Sequence, residues 1–88
     1  MATPILMPQI GQDIATGTII KWFVKENDEV KEGDIIAEVE SEKAAFEVEA
    51  YKSGVILKIL YKEGEEVEVL KPIGYIGEPG EKIENLSS

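Results

Sequence analysis

The stretch "EVESEKAAFEVEA", residues 38–50, alternates apolar and acidic residues on both sides of a single lysine, Lys43. A period of two is typical of a β-strand with one buried face, and a helix would scatter these apolar residues around its surface. If Glu42 and Lys43 form a two-residue loop, the apolar side chains share one face and Glu38 lies opposite Glu47 on the wet face. The full register pairs Ser41 with Ala44, Val39 with Phe46, Ala37 with Val48 and Ile35 with Ala50. The stretch therefore predicts a β-hairpin with Lys43 at its tip.

The residues of this tip are unusual for a turn. Two-residue hairpin loops favour Asn-Gly or Asp-Gly, and Glu-Lys is a poor substitute. An exposed lysine is most often simply solvated. The surrounding pattern is what favours a functional lysine here.

An internal repeat extends the hairpin into a fold. "GTIIKWFVKENDEVKEGDIIAEV" (residues 17–39) aligns with "GVILKILYKEGEEVEVLKPIGYI" (residues 54–76) at an offset of 37, and eight of the 23 aligned pairs are identical. Each copy reads as strand, polar turn, strand, and two copies suit two halves packed face to face. Asn27 aligns with Gly64, and both residue types tolerate positive φ, so we expect each to be the left-handed residue of a tight turn.

Composition excludes most other classes of function. The 88-residue chain has no cysteine and no histidine, so it has no disulfide, no Cys/His metal site, no thiol nucleophile and no Ser-His pair. We expect neither a catalytic residue nor a metal site. A net charge of −9 disfavours nucleic acid and anionic membranes as partners. No apolar run is long enough to span a membrane and no secretory signal is present, which predicts a cytoplasmic protein.

The string "EGDIIAEVESEKAAFEVEAYKSGVI" resembles a lipoyl domain of the acyltransferase subunit of 2-oxo acid dehydrogenase complexes, such as the pyruvate dehydrogenase complex. Gly33 lies ten residues before the lysine and Gly54 eleven after it, and the resemblance extends from about Pro4 to Ile76. It implies an all-β fold, a flattened barrel or sandwich of two four-stranded antiparallel sheets with internal quasi-twofold symmetry (a barrel-sandwich hybrid). Two departures are Glu42, where the family usually has Asp, and Asn27, where it usually has Gly.

The resemblance also implies a function and a set of site residues. Lys43 would carry lipoic acid through an amide, as a swinging arm that moves acyl groups and electrons between active sites, and the domain itself would not be an enzyme. The implied partners are a lipoate ligase or lipoyltransferase, a thiamine diphosphate-dependent 2-oxo acid decarboxylase, an acyltransferase domain that uses coenzyme A, and the flavoprotein dihydrolipoamide dehydrogenase. The location would be the mitochondrial matrix in a eukaryote. Candidate recognition residues around the lysine are Glu40, Glu42, Ala44 and Glu47, and the candidate structural turns are at Asn27, Gly33, Gly54 and Gly64.

Two alternatives remain open at this point. A biotin carrier would use the same lysine, although that family typically has methionine on both sides of it, where this chain has Glu42 and Ala44. An unmodified hairpin domain of an adaptor protein would carry no group at all. Periodicity is lost after Pro79, so we expect a carrier domain over residues 1–78 and a flexible tail or the start of a linker over residues 79–88.

Overall fold

A computed structural model describes residues 2–9, 11–42 and 44–80. Lys43 and most of the predicted tail, residues 81–88, lie outside the described residues. The described chain forms eight β-strands: β1 (Thr3–Leu6), β2 (Thr16–Trp22), β3 (Glu29–Val30), β4 (Ile35–Glu40), β5 (Ala45–Glu49), β6 (Gly54–Ile59), β7 (Glu66–Glu68) and β8 (Pro72–Gly77).

The strands form two four-stranded antiparallel sheets. We call the sheet with strand order β1-β8-β6-β3 the first sheet and the sheet with order β5-β4-β2-β7 the second sheet. The described residues contain no helix, and hence none long and apolar enough to cross a membrane. The predicted all-β fold of two four-stranded sheets is confirmed.

A quasi-twofold relation connects the two sheets. An offset of 37 residues maps β2, β3 and β4 onto β6, β7 and β8, so that one strand order becomes the other when β5 is matched to β1. The two halves exchange their short strands, because β3 pairs with β6 and β7 pairs with β2. The repeat in the sequence therefore corresponds to two halves that complete each other's sheets.

The polar turns of the two halves also match. Asn27 has φ 78° and Gly64 has φ 91°, which confirms the left-handed conformation expected for both. The Asn27 N–H donates to the Ile56 carbonyl at 2.7 Å, and the Gly64 N–H donates to the Ile19 carbonyl at 2.6 Å. Each turn thus docks on the first long strand of the other half.

The other two predicted turn glycines differ from one another. Gly33 has φ 92° and lies in a turn, as expected. Gly54 does not lie in a turn, because it is the first residue of β6 and pairs with Val30. A Cβ atom at Gly54 would lie 2.6 Å from the Gly77 carbonyl oxygen, so glycine is needed there for close approach of two backbones.

The core lies between the sheets and is entirely apolar among the described residues. Its fully enclosed side chains, all at 0% exposure, are Ile5, Met7, Ile19, Ile36, Ala37, Val39, Ile56, Ile73 and Ile76. Trp22 packs against this core and donates its Nε1–H to the Tyr61 carbonyl at 2.9 Å. The core gives the β4–β5 hairpin a firm base.

Candidate carrier site at the β4–β5 hairpin

The register of β4 and β5 fixes the position of the hairpin tip. Val39 pairs with Phe46, Glu38 with Glu47 and Glu40 with Ala45. The Ser41 N–H donates to the Ala44 carbonyl at 2.9 Å, which closes the turn. Only positions 42 and 43 lie between Ser41 and Ala44 in the sequence, so this hydrogen bond agrees with the predicted two-residue loop. Lys43 itself lies outside the described residues.

One predicted pair at the base of the hairpin is wrong. Ile35 lies opposite Glu49 rather than Ala50, because the register shifts between Ile35 and Ala37. The extra residue is a β-bulge, which turns Ile35 outward at 39% exposure and leaves Ile36 fully buried. The bulge keeps consecutive apolar residues of β4 in the core without disturbing the pairs nearer the tip.

The predicted recognition residues are all at the surface. Glu40, Glu42, Ala44 and Glu47 are exposed, with Glu40 at the end of β4 and Glu47 in the middle of β5. Glu38 and Glu47 face each other across the strands, a like-charge pair that disfavours the hairpin slightly. These carboxylates give the tip an acidic surface, and their role in recognition stays a prediction.

A groove beside the tip was not anticipated from the sequence. It has a volume of about 490 Å³ and lies between the tip and the start of β2; its lining includes Asp13, Thr16, Glu40, Glu42 and Glu66. The Thr16 hydroxyl donates to the Glu66 carboxylate at 2.7 Å across the two strands. The carboxylates come from separate parts of the chain, so only the tertiary fold brings them together.

The segment between β1 and β2 forms one wall of this groove. The Gln9 amide donates to the Gly11 carbonyl at 2.6 Å, which ties the segment back on itself. The only sequence signal for this wall was a cluster of turn-forming residues in "MPQIGQD", which shows no periodicity.

The described residues next to position 43 are open to solvent. Both chain neighbours of position 43, Glu42 and Ala44, are exposed and belong to no packed cluster. Within the described ranges, no three acidic residues lie close enough together to hold a metal ion. The described part of the site is therefore an acidic hairpin end whose residues on both sides of position 43 are exposed.

Comparison with known proteins identifies the class. The family model described as "Biotin-requiring enzyme", for biotin and lipoyl domains, matches residues 3–76. The chain belongs to this family of biotin- and lipoyl-carrying domains.

Relatives within the family narrow the class further. The chain is 40% identical over 89 residues to the dihydrolipoyllysine-residue acetyltransferase component of the pyruvate dehydrogenase complex of Zymomonas mobilis, covering 100% of this chain and 20% of the relative. It also resembles the solution structure of the lipoyl domain of the 2-oxoglutarate dehydrogenase complex of Azotobacter vinelandii. That likeness has a TM-score of 0.68 and 32% identity, and covers 86% of this chain and 99% of the other. The chain is a lipoyl domain, the non-catalytic carrier module of such acyltransferases.

A biotin-dependent enzyme shares the same fold. Urea carboxylase of Kluyveromyces lactis matches with a TM-score of 0.73 and 30% identity, over 88% of this chain and 6% of the carboxylase. The chain spans about a fifth of the length of the curated relatives it matches. Lipoyl- and biotin-carrying domains therefore share this fold.

Proposed function

We propose that Lys43 is joined to lipoic acid through an amide, and that the domain carries acyl groups and electrons between the active sites of a 2-oxo acid dehydrogenase complex. The observation that carries this proposal is the register of the hairpin. The pairing of Glu40 with Ala45 and the bond from Ser41 to Ala44 support the proposal that residues 42 and 43 form the turn between two strands anchored in the core. A lysine there is presented on a support that does not need to move.

The chain's own contribution is position rather than chemical activation. Val39, Ala37 and Val48 are buried at 0%, 0% and 4% exposure and fix both strands of the hairpin in the core. Within the part of the chain that the structure describes, no group of acidic side chains could hold a metal ion that might assist the reaction. In this proposal the activated acyl group comes from a separate ligase.

The absence of cysteine from the sequence fits the proposed cofactor. Lipoic acid, when attached, supplies a dithiolane that can be reduced, acylated and reoxidised. A protein thiol close to it would compete in thiol–disulfide exchange, and this chain offers none. Amide formation would also remove the lysine charge and leave the surface of Glu40, Glu42 and Glu47 for partners to recognise.

The proposed partners follow from the proposed group. They are a lipoate ligase or lipoyltransferase, a thiamine diphosphate-dependent decarboxylase, an acyltransferase domain with coenzyme A, and a flavoprotein dihydrolipoamide dehydrogenase. Tethering the carrier to its complex would raise the local concentration of the arm to about millimolar or more. We further propose a cytoplasmic location, or the mitochondrial matrix in a eukaryote, and a carrier domain that covers residues 1–78.

Biotin is the second candidate group, because a biotin-dependent carboxylase shares the fold. The neighbours of Lys43 argue against it, since Glu42 and Ala44 stand where biotin carriers typically have methionine. This difference makes lipoic acid the favoured group.

Intact mass after co-expression with each ligase tests the proposal. With a lipoate ligase and lipoic acid, we expect the mass of the 88-residue chain to rise by one lipoyl group. With a biotin ligase and biotin, we expect the mass to stay that of the unmodified chain. A gain only with the biotin ligase would identify a biotin carrier, and no gain with either would refute a carrier function.

A further inference from the structure

Phe46 is an exposed aromatic residue close to the tip. It lies on β5, an edge strand of the second sheet, two residues after Ala44. Its cross-strand partner Val39 is fully buried, while Phe46 itself is 38% exposed. Because paired residues point to the same face of a sheet, the ring begins on the core side and extends to the open edge of the sheet.

The internal repeat provides a comparison for this position. The repeat matches Val39 to Ile76, whose partner on the edge strand β1 is Thr3. Thr3 therefore occupies the position in the first sheet that Phe46 occupies in the second, and Ile76 is as fully buried as Val39. Since a threonine completes the same arrangement at the other position, closure of the fold does not require an aromatic ring at residue 46.

The surroundings of the ring resemble the centre of a binding surface. Exposed carboxylates lie near it on the hairpin: Glu42 is at the tip, and Glu47 and Glu49 are on the other face of the same strand. Interfaces typically combine an apolar, often aromatic, anchor with a polar rim. An apolar ring at a sheet edge, next to an acidic tip and an acidic outer face, is complementary to a partner that has an apolar pocket with basic groups beside it.

Proximity to the tip identifies which partner would cover the ring. A standard interface buries about 800 Å² on each partner, so an enzyme centred on the tip also covers a residue two positions along the strand. The enzyme that attaches the lipoyl group must approach most closely, because only the four-carbon stem of the unmodified lysine reaches into its active site. The later enzymes meet a longer arm and can act from further away.

We infer that Phe46 is an anchor residue for the lipoyl-attaching enzyme, which binds the ring in an apolar pocket and the carboxylates with basic groups. This inference rests on the proposed function, since it concerns the enzyme that modifies Lys43. In this inference, contact with Phe46 helps the enzyme to select Lys43 among the nine lysines of the chain.

Initial rates of lipoylation with a lipoate ligase, lipoic acid and ATP test the inference. Phe46→Thr, which places at residue 46 the side chain found at Thr3, should lower kcat/KM about tenfold, mainly through a higher KM, as expected for loss of an interface anchor. Phe46→Leu keeps an apolar side chain and should retain most of the rate. Phe23→Thr is the matched control, because Phe23 is 49% exposed but lies beyond the end of β2, away from the hairpin tip. It should be modified at the parent rate.

Several results would overturn the inference. One is a Phe46→Thr chain that is modified as fast as the parent, and another is an equal loss with Phe23→Thr. Urea unfolding of each variant separates a binding defect from loss of fold, and a variant that loses rate only because it unfolds would also count against the inference. A parent dimer in size exclusion that Phe46→Thr abolishes would assign the ring to a second copy instead. A parent chain that takes up no lipoyl group would contradict the proposed function itself, which is a distinguishable outcome.

Discussion

At the scale of single residues, the two polar turns depend on backbone conformation. Asn27 and Gly64 both lie in the left-handed region, and each donates its N–H to the opposite half. Glycine adopts the left-handed conformation readily, and asparagine is among the other residues that tolerate it best. The alignment of Asn27 with Gly64 was therefore sufficient to predict both turns from the sequence.

The left-handed conformation of Leu70 could not be predicted in the same way. Leu70 has φ 67° and is 58% exposed, at the position that the repeat matches to Gly33. Leucine carries no signal for positive φ, so only the structure reveals that the repeat extends to this turn.

Substitutions of Asn27 test the turn assignment. Asn27→Gly should be neutral or mildly stabilising, whereas Asn27→Val should lower the free energy of unfolding by about 1–2 kcal/mol because a β-branched residue is strained at positive φ. Urea unfolding measures both variants. Equal stability of the glycine and valine variants would count against the assignment.

At the scale of elements, the hairpin was more predictable than its base. The alternation of apolar and acidic residues fixed the register from Glu40–Ala45 back to Ala37–Val48, since a slip of one residue would turn the apolar side chains into water. At the base, Ile35, Ile36 and Ala37 are three apolar residues in a row. Such a run has no period of two, so it could not reveal where the bulge lies.

The contact between β6 and β8 gives a sharper test of packing. Gly54→Ala would place a Cβ atom 2.6 Å from the Gly77 carbonyl oxygen. The strands would have to move apart, and we expect a loss of about 1–3 kcal/mol in the free energy of unfolding.

A second glycine supplies the control for that experiment. A Cβ atom at Gly33 would meet no other atom within 4 Å, although its φ is 92°. Gly33→Asn should therefore change stability by less than about 1 kcal/mol in the same urea experiment, because asparagine tolerates this conformation. A Gly54→Ala variant as stable as Gly33→Asn would show that the two backbones can separate freely.

At the scale of the whole molecule, the two halves support each other. The Glu63 carboxylate accepts a hydrogen bond from the backbone N–H of Trp22 at 3.1 Å. The Glu26 carboxylate accepts one from the backbone N–H of Ile59 at 2.9 Å, which is the equivalent contact in the other half of the repeat. The sequence revealed the repeat, but it did not reveal that each half donates its short strand, β3 or β7, to the sheet of the other half. Two- and three-residue strands such as β3 and β7 are too short for any periodicity to show which half they join.

The exchange predicts matched effects of two distant substitutions. Glu26→Ala and Glu63→Ala should each lower the free energy of unfolding by about 0.5–1.5 kcal/mol, because each leaves one strand N–H without its acceptor. Glu49→Ala, which removes an exposed carboxylate of β5, should stay within about 0.5 kcal/mol of the parent. A loss with only one of the first two variants would contradict an equal role for the halves.

Peptide mapping after lipoylation tests whether the fold serves to present Lys43. The chain has nine lysines, so accessibility alone does not select one. We expect the lipoyl group on Lys43 only, and we expect Lys43→Ala to stay unmodified while its free energy of unfolding remains within about 0.5 kcal/mol of the parent. The double variant Lys43→Ala with Ala44→Lys should also lose most modification, because adjacent positions point in different directions. A lipoyl group on any other lysine, or a modified Lys43→Ala chain, would contradict the account.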